Sequence, residues 1–302
     1  MSWKRVTDRL KHSNRVLRLA DWLGRGRGRM RWLDELYTIP KPRVPDLAGW
    51  KDQALSAVWI GHATVLLRIG GVTILTDPVM MNRVGIGLGL VTGGPLRALA
   101  PAISVRELPQ VDLILISHAH FDHLDRPTLC RLPKDTPVFT AHHTMDLIRD
   151  LGFRRISELQ WGESLDFMGL RITARQVKHW GARTFFDSHR GFNAYLIESA
   201  DHRVLYGGDT AYQEMFRDLG RVDLAILGIG GYQPYVQAHA TPEQAWEMAN
   251  HMSAAHLLPI HHSTFRLSYE PRGEPIERLL AAAGTEARRI VVREVGGQWG
   301  VN

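Results

Sequence analysis

The chain has 302 residues, 44% of them hydrophobic and 23% charged, which are the proportions of a globular protein with a substantial core. No apolar run approaches the roughly 20 residues that span a bilayer, and arginines interrupt the N-terminus where a signal peptide has its apolar centre. The single cysteine, Cys130, excludes an intrachain disulfide and fits a reducing compartment. We therefore predict a cytoplasmic protein.

The net charge of +6 is concentrated at the N-terminus. Residues 1–33 carry ten basic and two acidic side chains, a net charge of +8, so the rest of the chain carries −2. Residues 3–23 have the apolar spacing of an amphipathic, cationic helix. Three interpretations stay open: packing on the body, contact with an anionic membrane and, less favoured, nucleic-acid binding. Membrane contact would place the protein peripherally at the inner membrane face.

We predict two parts, a basic arm and linker over residues 1–45 and one domain over residues 46–302. In this domain the apolar runs predict strands, which in chain order lie at 57–60, 65–69, 72–76, 111–116, 137–141, 170–177, 192–198, 204–206, 222–227, 256–260 and 290–294. Gly70-Gly71 joins the second and third of these, because glycines allow the positive φ of a tight hairpin turn.

Helical spacing recurs in the second half of the chain. It predicts helices at 142–151, 212–219, 241–252 and 275–283. Thr241 and Pro242 form a typical helix start, a hydroxyl cap followed by proline at the first helical position. Residues 80–100 are a Gly-rich loop too long for a plain connection, so we assign them to the rim of a functional site.

Four side chains able to hold a metal directly follow the buried strand at 111–116: His118, His120, Asp122 and His123. Alternate residues of an extended segment share a face, so His118 and His120 point the same way. The following turn brings Asp122 and His123 from another direction. Imidazole nitrogens and carboxylate oxygens are the usual ligands of zinc. Because four ligands on one short loop are too crowded for one closed site, the spacing predicts two adjacent ions.

Three more residues follow predicted strands in the same manner: His179, Asp209 and His261. Each alone would be unremarkable, because a histidine at a strand end is usually only hydrogen-bonded and an aspartate after two glycines is usually a turn residue. Together with the first four residues they complete a ligand set for two metal ions.

This order of residues resembles the metallo-β-lactamase-fold hydrolases, and within them most closely the N-acylphosphatidylethanolamine-hydrolysing phospholipase D branch. The matching segments are Trp59 to Thr64, Leu75 to Pro78, Ser117 to Asp125, Gln176 to Trp180, Gly208 to Thr210, His239 to Glu243 and Ile260 to Phe265. The sequence departs from the phospholipases at His262 and Ser263, where they have Trp-Gly. This departure replaces an apolar wall with a titratable group.

The resemblance implies an α/β fold, a four-layered αβ/βα sandwich (the metallo-β-lactamase fold), with a metal pair at the sheet edges. It implies that one ion is held by His118, His120 and His179 and the other by Asp122, His123 and His261, with Asp209 bridging them. Ligation by nitrogen and oxygen without thiolate favours two zinc ions and leaves iron or manganese open.

The predicted catalytic residues are Asp122, Asp209 and His239. The resemblance places His239 before a Pro-Glu helix, where it would face the substrate and stabilise charge or protonate a leaving oxygen. The alternative, a polar residue that only flanks the helix, stays open. His62 is predicted to orient a ligand or carboxylate from the second shell.

The resemblance and the paired ligands predict a metal-dependent hydrolase, specifically a phosphodiesterase acting on an N-acyl phospholipid or similar amphiphile by attack of a metal-bridging hydroxide. The basic arm and the 80–100 loop suit such a substrate. The alternative is a lactonase or carboxylic ester hydrolase on a small soluble substrate, including a phosphorylated one. A binding protein without turnover is disfavoured because no ligand position is substituted. A nucleic-acid partner is disfavoured because the positive charge lies in the arm.

Overall fold

A computed structural model of the protein describes residues 38–88, 91–184 and 187–301. The strands within these residues are β1 (Leu55–Gly61), β2 (Thr64–Ile69), β3 (Val72–Thr76), β4 (Ile86–Leu88), β5 (Val91–Gly93), β6 (Leu113–Ile116), β7 (Val138–Ala141), β8 (Ile156–Leu159), β9 (Ser164–Phe167), β10 (Leu170–Arg175), β11 (Ala194–Glu198), β12 (Arg203–Tyr206), β13 (Leu224–Gly228), β14 (His256–Ile260) and β15 (Gln298–Val301). The α-helices are α1 (Arg126–Arg131), α2 (Pro242–His251) and α3 (Glu274–Ala283). Short 3-10 helices lie at Trp50–Asp52, Met145–Leu147, Arg149–Leu151, Met215–Leu219 and Gly284–Arg289.

The strands form two large sheets. The first has the order β15-β1-β2-β3-β6-β7-β8 and the second has the order β14-β13-β12-β11-β10-β9. In the first sheet β3, β6, β7 and β8 run parallel, and in the second β12, β13 and β14 run parallel. Parallel strands carry their carboxyl ends to the same edge of a sheet, so the segments after these strands are gathered at one end of the molecule.

The core has three parts, which fix the order of the layers. Trp59, Tyr195 and Tyr206 are fully buried in the part between the two sheets. Helices α2 and α3 pack on the outer face of the second sheet, while α1 and the 3-10 turns after β7 pack on the outer face of the first. Helix, sheet, sheet and helix follow one another, which confirms the predicted four-layered αβ/βα sandwich.

Strand β1 shows why the apolar runs predicted strands so well. All seven of its residues are buried, since the sheet is covered on both faces. A strand covered on both faces has a continuous apolar sequence rather than an alternating one. The predicted hairpin between β2 and β3 is also present, with φ of 55° at Gly70 and 82° at Gly71.

The start of α2 is formed as predicted. The Thr241 hydroxyl accepts a hydrogen bond from the Gln244 amide at 3.3 Å, and the Gln244 side chain accepts one from the Thr241 amide at 3.0 Å. This reciprocal pair satisfies two backbone donors that have no partner inside the helix. Because Thr241 lies two residues after His239, the cap also orders the backbone that directly follows that histidine.

Three predicted elements are wrong. Residues 142–151 form 3-10 turns rather than a helix: His143 has a φ of 55°, which a right-handed helix does not contain, and the Glu158 carboxylate accepts the amides of Thr144 and Met145 after it. The segment at 212–219 is helical only as the 3-10 helix Met215–Leu219. No strand forms at 290–294: Ile290 makes an isolated bridge to Leu257, and the last strand is β15.

Residues 80–100 are more buried than we expect for a loop at the rim of a functional site. Met80, Val84 and Arg97 are buried, and the described part of the segment contains the β4–β5 hairpin. The backbone of Arg97 pairs with Phe265, so one end of the segment does lie near the site described below.

The predicted arm lies mostly outside the described residues, which begin at 38. The boundary between residues 45 and 46 therefore stays a prediction. Among the described residues no helix combines the length and apolarity needed to cross a membrane.

Candidate metal centre

All seven predicted ligands lie at one end of the two sheets, just after strands. His118, His120, Asp122 and His123 follow β6, and the other three follow β10, β12 and β14. Gly208 allows the chain to turn from β12 towards Asp209, since its φ is +55° and a Cβ there would meet the Ser117 Cβ at 2.7 Å. The sheet edges therefore bring together residues that are up to 143 positions apart in the sequence.

The first cluster contains His118, His120 and His179. The His120 Nδ1 atom lies 2.9 Å from His118 Nε2 and 3.2 Å from His179 Nε2. The other ring nitrogens of His118 and His179 form hydrogen bonds outside the cluster. His118 Nδ1 bonds the Ser117 hydroxyl at 2.9 Å, and His179 Nδ1 bonds the Ala238 carbonyl oxygen at 3.0 Å. With those contacts fixing the tautomers, the lone pairs of His118 and His179 point inward.

These three imidazoles are electrically neutral. Burial is the main cause that holds the pKa of His118 and His179 well below the usual value, and it also lowers the pKa of His120. A neutral imidazole with an inward lone pair is the form that binds a metal.

The second cluster contains Asp122, His123 and His261, joined by His62. Asp122 Oδ2 lies 3.3 Å from His261 Nε2, 3.6 Å from His123 Nε2 and 2.9 Å from His62 Nε2. Asp209 lies between the two clusters. Its Oδ2 atom is 3.1 Å from His123 Nε2 and 3.2 Å from His261 Nε2.

Carboxylates dominate the electrostatics of the second cluster. Burial acts to raise the pKa of Asp122 and Asp209, but the adjacent imidazoles outweigh it and hold both well below the usual range. Burial acts to lower the pKa of His123 and His261, but the carboxylates outweigh it, raising that of His123 well above its usual value and that of His261 to about 9. The cluster therefore needs positive charge, which protons or metal ions can supply.

Asp77 is the main residue of the site that has no role of its own among the sequence-based predictions. It is fully buried, and its carboxylate accepts hydrogen bonds from the Ser117 amide at 2.6 Å, the Ser117 hydroxyl at 2.5 Å, Tyr206 Oη at 2.6 Å and His123 Nδ1 at 2.6 Å. The bond to His123 turns its Nε2 atom towards Asp209. The sequence signal was an aspartate directly after a buried strand.

His62 takes the orienting position predicted for it. It is 1% exposed, bonds Asp122 at 2.9 Å, and its ring lies 4.2 Å from that of His261. Three residues of the site directly follow the last residue of a strand and have a positive φ: 54° at His62, 30° at Asp77 and 61° at His261. Non-glycine residues avoid this region unless the surrounding structure holds them there, and such residues cluster at functional sites.

His239 lies beside the centre, as predicted. Its Nδ1 atom is 3.7 Å from Asp209 Oδ2, and its ring stacks on His261 at 5.2 Å. Burial lowers the pKa of His239 to about 4. Trp180, which the sequence left without a role, stacks on His179 at 4.5 Å and is 45% exposed, so it presents an apolar ring at the rim.

His262, the departure from the phospholipase pattern, does not join either cluster. Its ring is 4% exposed and lies 4.6 Å from Trp59, and burial lowers its pKa to about 3. The ring is therefore neutral, and it forms part of a wall much as an uncharged aromatic residue would.

The donor set fits metal binding. Four overlapping groups of possible ligand atoms lie within 4.8 Å of one another, and the two largest are His118, His120, His179 and Asp209, and His62, Asp122, His123 and His261. His123 Nε2 and Asp209 Oδ1 are buried without any hydrogen-bond partner among the described residues. Nitrogen ligands about 2.0–2.1 Å from a tetrahedral zinc ion lie roughly 3.3 Å apart, close to the spacings at His120.

Comparison with known proteins agrees with this geometry. Residues 72–262 match the family described as the beta-lactamase superfamily domain. An uncharacterised protein of Mycobacterium tuberculosis is 34% identical over 264 residues, which are 82% of this chain and 69% of that protein. N-acyl-phosphatidylethanolamine-hydrolyzing phospholipase D 1 of Caenorhabditis elegans is 29% identical over 288 residues, which are 87% of this chain and 80% of that protein.

Among solved structures, the isothiocyanate hydrolase from Delia radicum gut bacteria superposes with a TM-score of 0.67 at 21% identity, over 82% of this chain and 99% of that one. This likeness concerns the fold. The family match covers more than half of the sequence, so the chain belongs to the beta-lactamase superfamily.

Proposed function

We propose that the protein hydrolyses a phosphodiester bond in an N-acyl phospholipid or a similar amphiphile, with two metal ions held by the seven predicted ligands. Its family and its His/Asp clusters make it a metal-dependent hydrolase. The observation that carries the dinuclear part is the position of Asp209 Oδ2, 3.1 Å from His123 Nε2 on one side and 3.8 Å from His179 Nε2 on the other. Similarity to the C. elegans phospholipase supports the substrate class.

Two bound ions would lower the pKa of a coordinated water towards neutrality and offset the negative charge that develops on the phosphoryl oxygens. The chain itself supplies orientation. Asp77 turns His123, His62 holds Asp122, and the Ala238 carbonyl fixes the tautomer of His179. Ligation by nitrogen and oxygen favours zinc, with iron and manganese as the alternatives.

A substrate and metal panel tests the proposal. Metal-loaded protein is expected to cleave bis(p-nitrophenyl) phosphate and N-acyl phosphatidylethanolamine in mixed micelles, and chelation is expected to abolish both activities because the ions supply the nucleophile. Zinc, iron(II) or manganese is then added separately to the metal-free protein, and the rate of hydrolysis that each restores ranks the metals. Turnover of lactones or carboxylic esters alone would favour the alternative function. Turnover that survives complete removal of metal would contradict a metal-dependent reaction.

We propose that His239 contacts the substrate and stabilises charge there. Of the two predicted roles this one is favoured over protonation of the leaving oxygen, because burial lowers the pKa of His239 to about 4 and leaves the ring a neutral N–H donor. His239→Ala is expected to lower kcat roughly 100-fold, the effect typical of a lost general acid or charge-stabilising donor, while the metal content stays unchanged. His239→Gln, which keeps a donor, is expected to recover part of the loss. The control is His202→Ala, a histidine that contacts Asp223 away from the centre. An unchanged kcat would mean that His239 is a polar residue that only flanks the helix.

Contact of residues 1–33 with an anionic membrane remains part of the proposal. Its support is the charge of +8 in that segment, which anionic headgroups attract. Removal of residues 1–33 is expected to abolish sedimentation with phosphatidylglycerol vesicles and to leave cleavage of the soluble diester intact. Loss of folding would instead mean that the segment packs on the body.

A further inference from the structure

A cavity of about 450 Å³ adjoins the metal centre, with which it shares His261. Its other walls come from Gly230-Gly231, after β13, and from residues 262–272, together with Pro275. This volume lies within the roughly 300–1,000 Å³ of small-molecule sites. None of the residues from 265 to 275 belongs to the predicted ligand set, so the metal centre does not explain the cavity.

The far wall of the cavity is fixed by Glu270. This carboxylate is 9% exposed and accepts hydrogen bonds from the Gly231 amide at 2.5 Å, the Gln233 amide at 3.1 Å and the Ser268 hydroxyl at 2.5 Å. It ties the segment around it to the loop after β13. Glu270 is therefore held by neutral donors, and its single negative charge offsets only one of the two arginine charges on the cavity.

Two arginines on this wall, Arg266 and Arg272, are left without a counter-ion. Both are exposed and line the cavity, and within the described parts of the chain neither guanidinium forms a hydrogen bond or an ion pair. The nearby acid Glu274 is already engaged by Tyr232 and Arg278. Arg278 shows the contrast, since it also pairs with both oxygens of Glu243 at 2.8 Å.

One exposed arginine is ordinary surface. Two on one cavity, which only one acid, Glu270, also lines, leave a local excess of positive charge beside the metal centre. A guanidinium presents paired donors that match the oxygens of phosphate and carboxylate groups. The same cavity is also lined by Phe265 and Leu267, whose side chains suit contact with hydrocarbon.

We propose that this cavity, the arginine pocket, binds a second anionic group of the substrate, a phosphate or carboxylate joined to the scissile diester through a short hydrocarbon linker. Arg266 and Arg272 bind the anion, and Phe265 and Leu267 contact the linker. The proposal rests on the proposed function, since it places the scissile bond at the metal centre. It narrows the proposed substrate class to amphiphiles with an anionic group in addition to the scissile phosphodiester, which N-acyl phosphatidylethanolamine does not have.

The test uses three p-nitrophenyl alkyl phosphates whose alkyl chain ends in methyl, carboxylate or a phosphate monoester. The double variant Arg266→Gln/Arg272→Gln is expected to raise KM at least about tenfold for the two charged chain ends, the loss of hydrogen bonds to a charged group. For the methyl end KM is expected to change less than about twofold. The carboxylate and phosphate arms show which anion the pocket prefers. An equal change for all three substrates, or none, overturns the proposal.

Arg288→Gln is the matched control. This exposed arginine has no ion pair within the described residues and lines a different cavity, which includes His256 at the opposite end of β14. If none of the diesters is hydrolysed, the proposed function is wrong, and a binding measurement then tests the arginine pocket separately. Calorimetry with hexyl phosphate, hexanoate and hexanol on metal-loaded protein is then expected to show weaker binding of the two anions in the double variant only. Unchanged binding of both anions overturns the pocket independently of turnover.

Discussion

Asp209→Asn is expected to leave at most one metal ion bound and to lower hydrolysis by more than the roughly 10–100-fold typical of residues that only orient a ligand. The reason is position. Asp209 Oδ2 lies within 3.9 Å of a nitrogen of His118 and within 3.2 Å of nitrogens of His123 and His261, so it faces both clusters. A neutral amide has nearly the same shape but supplies neither a negative charge nor a second acceptor oxygen.

The measurements for Asp209→Asn are the metal-to-protein ratio, the circular dichroism spectrum and kcat on a soluble diester. Asp201→Asn is the matched control, because Asp201 is exposed in the turn between β11 and β12 and its carboxylate bonds nothing in the described structure. A variant that keeps two metal ions and full activity would show that Asp209 does not bridge them.

The fold was predictable where burial alone decides the structure. β1, β3 and β6 are buried throughout and mostly apolar because both faces of the first sheet are covered, so a short apolar run marked each of them. Strands β8 and β9 escaped prediction because they lie towards the sheet margins and are only partly buried, which leaves a mixed sequence. Local pattern also failed at 142–151, where His143 has a positive φ and Glu158 of β8, distant in sequence, accepts the amides that follow it.

The residues of the site also divide into those with a local sequence signal and those without one. His118, His120, Asp122 and His123 were predictable because one loop carries them, and His179, Asp209 and His261 because each follows a strand. Contacts between distant segments left no local signal. Tyr206 lies 129 residues from Asp77 and bonds it at 2.6 Å, yet in the sequence it reads only as an apolar strand residue. Glu270 likewise reads as a loop acid, although it holds the loop after β13.

Asp77→Asn is expected to weaken metal binding roughly 10–100-fold, although Asp77 is not among the predicted ligands. Its carboxylate accepts four hydrogen bonds, three of them at Oδ2, from Ser117 Oγ, Tyr206 Oη and His123 Nδ1. An asparagine puts an NH₂ group in place of one oxygen, so a donor would face either the Ser117 amide or the three donors at Oδ2, and in both orientations His123 Nδ1 would lose its charged acceptor. Breaking this buried pair is also expected to lower the free energy of unfolding by about 3–5 kcal/mol.

Tyr206→Phe separates orientation of His123 from general loosening of the buried network. It removes one donor to Asp77 and leaves the Ser117 and His123 contacts in place, so we expect a loss of about 1 kcal/mol in stability and a metal affinity within a few-fold of the unmodified protein. Urea unfolding and metal competition with a chromogenic chelator measure the two quantities. If both variants lose metal equally, the network acts as a whole. If only Asp77→Asn loses it, the contact between Asp77 and His123 sets the metal affinity of the second cluster.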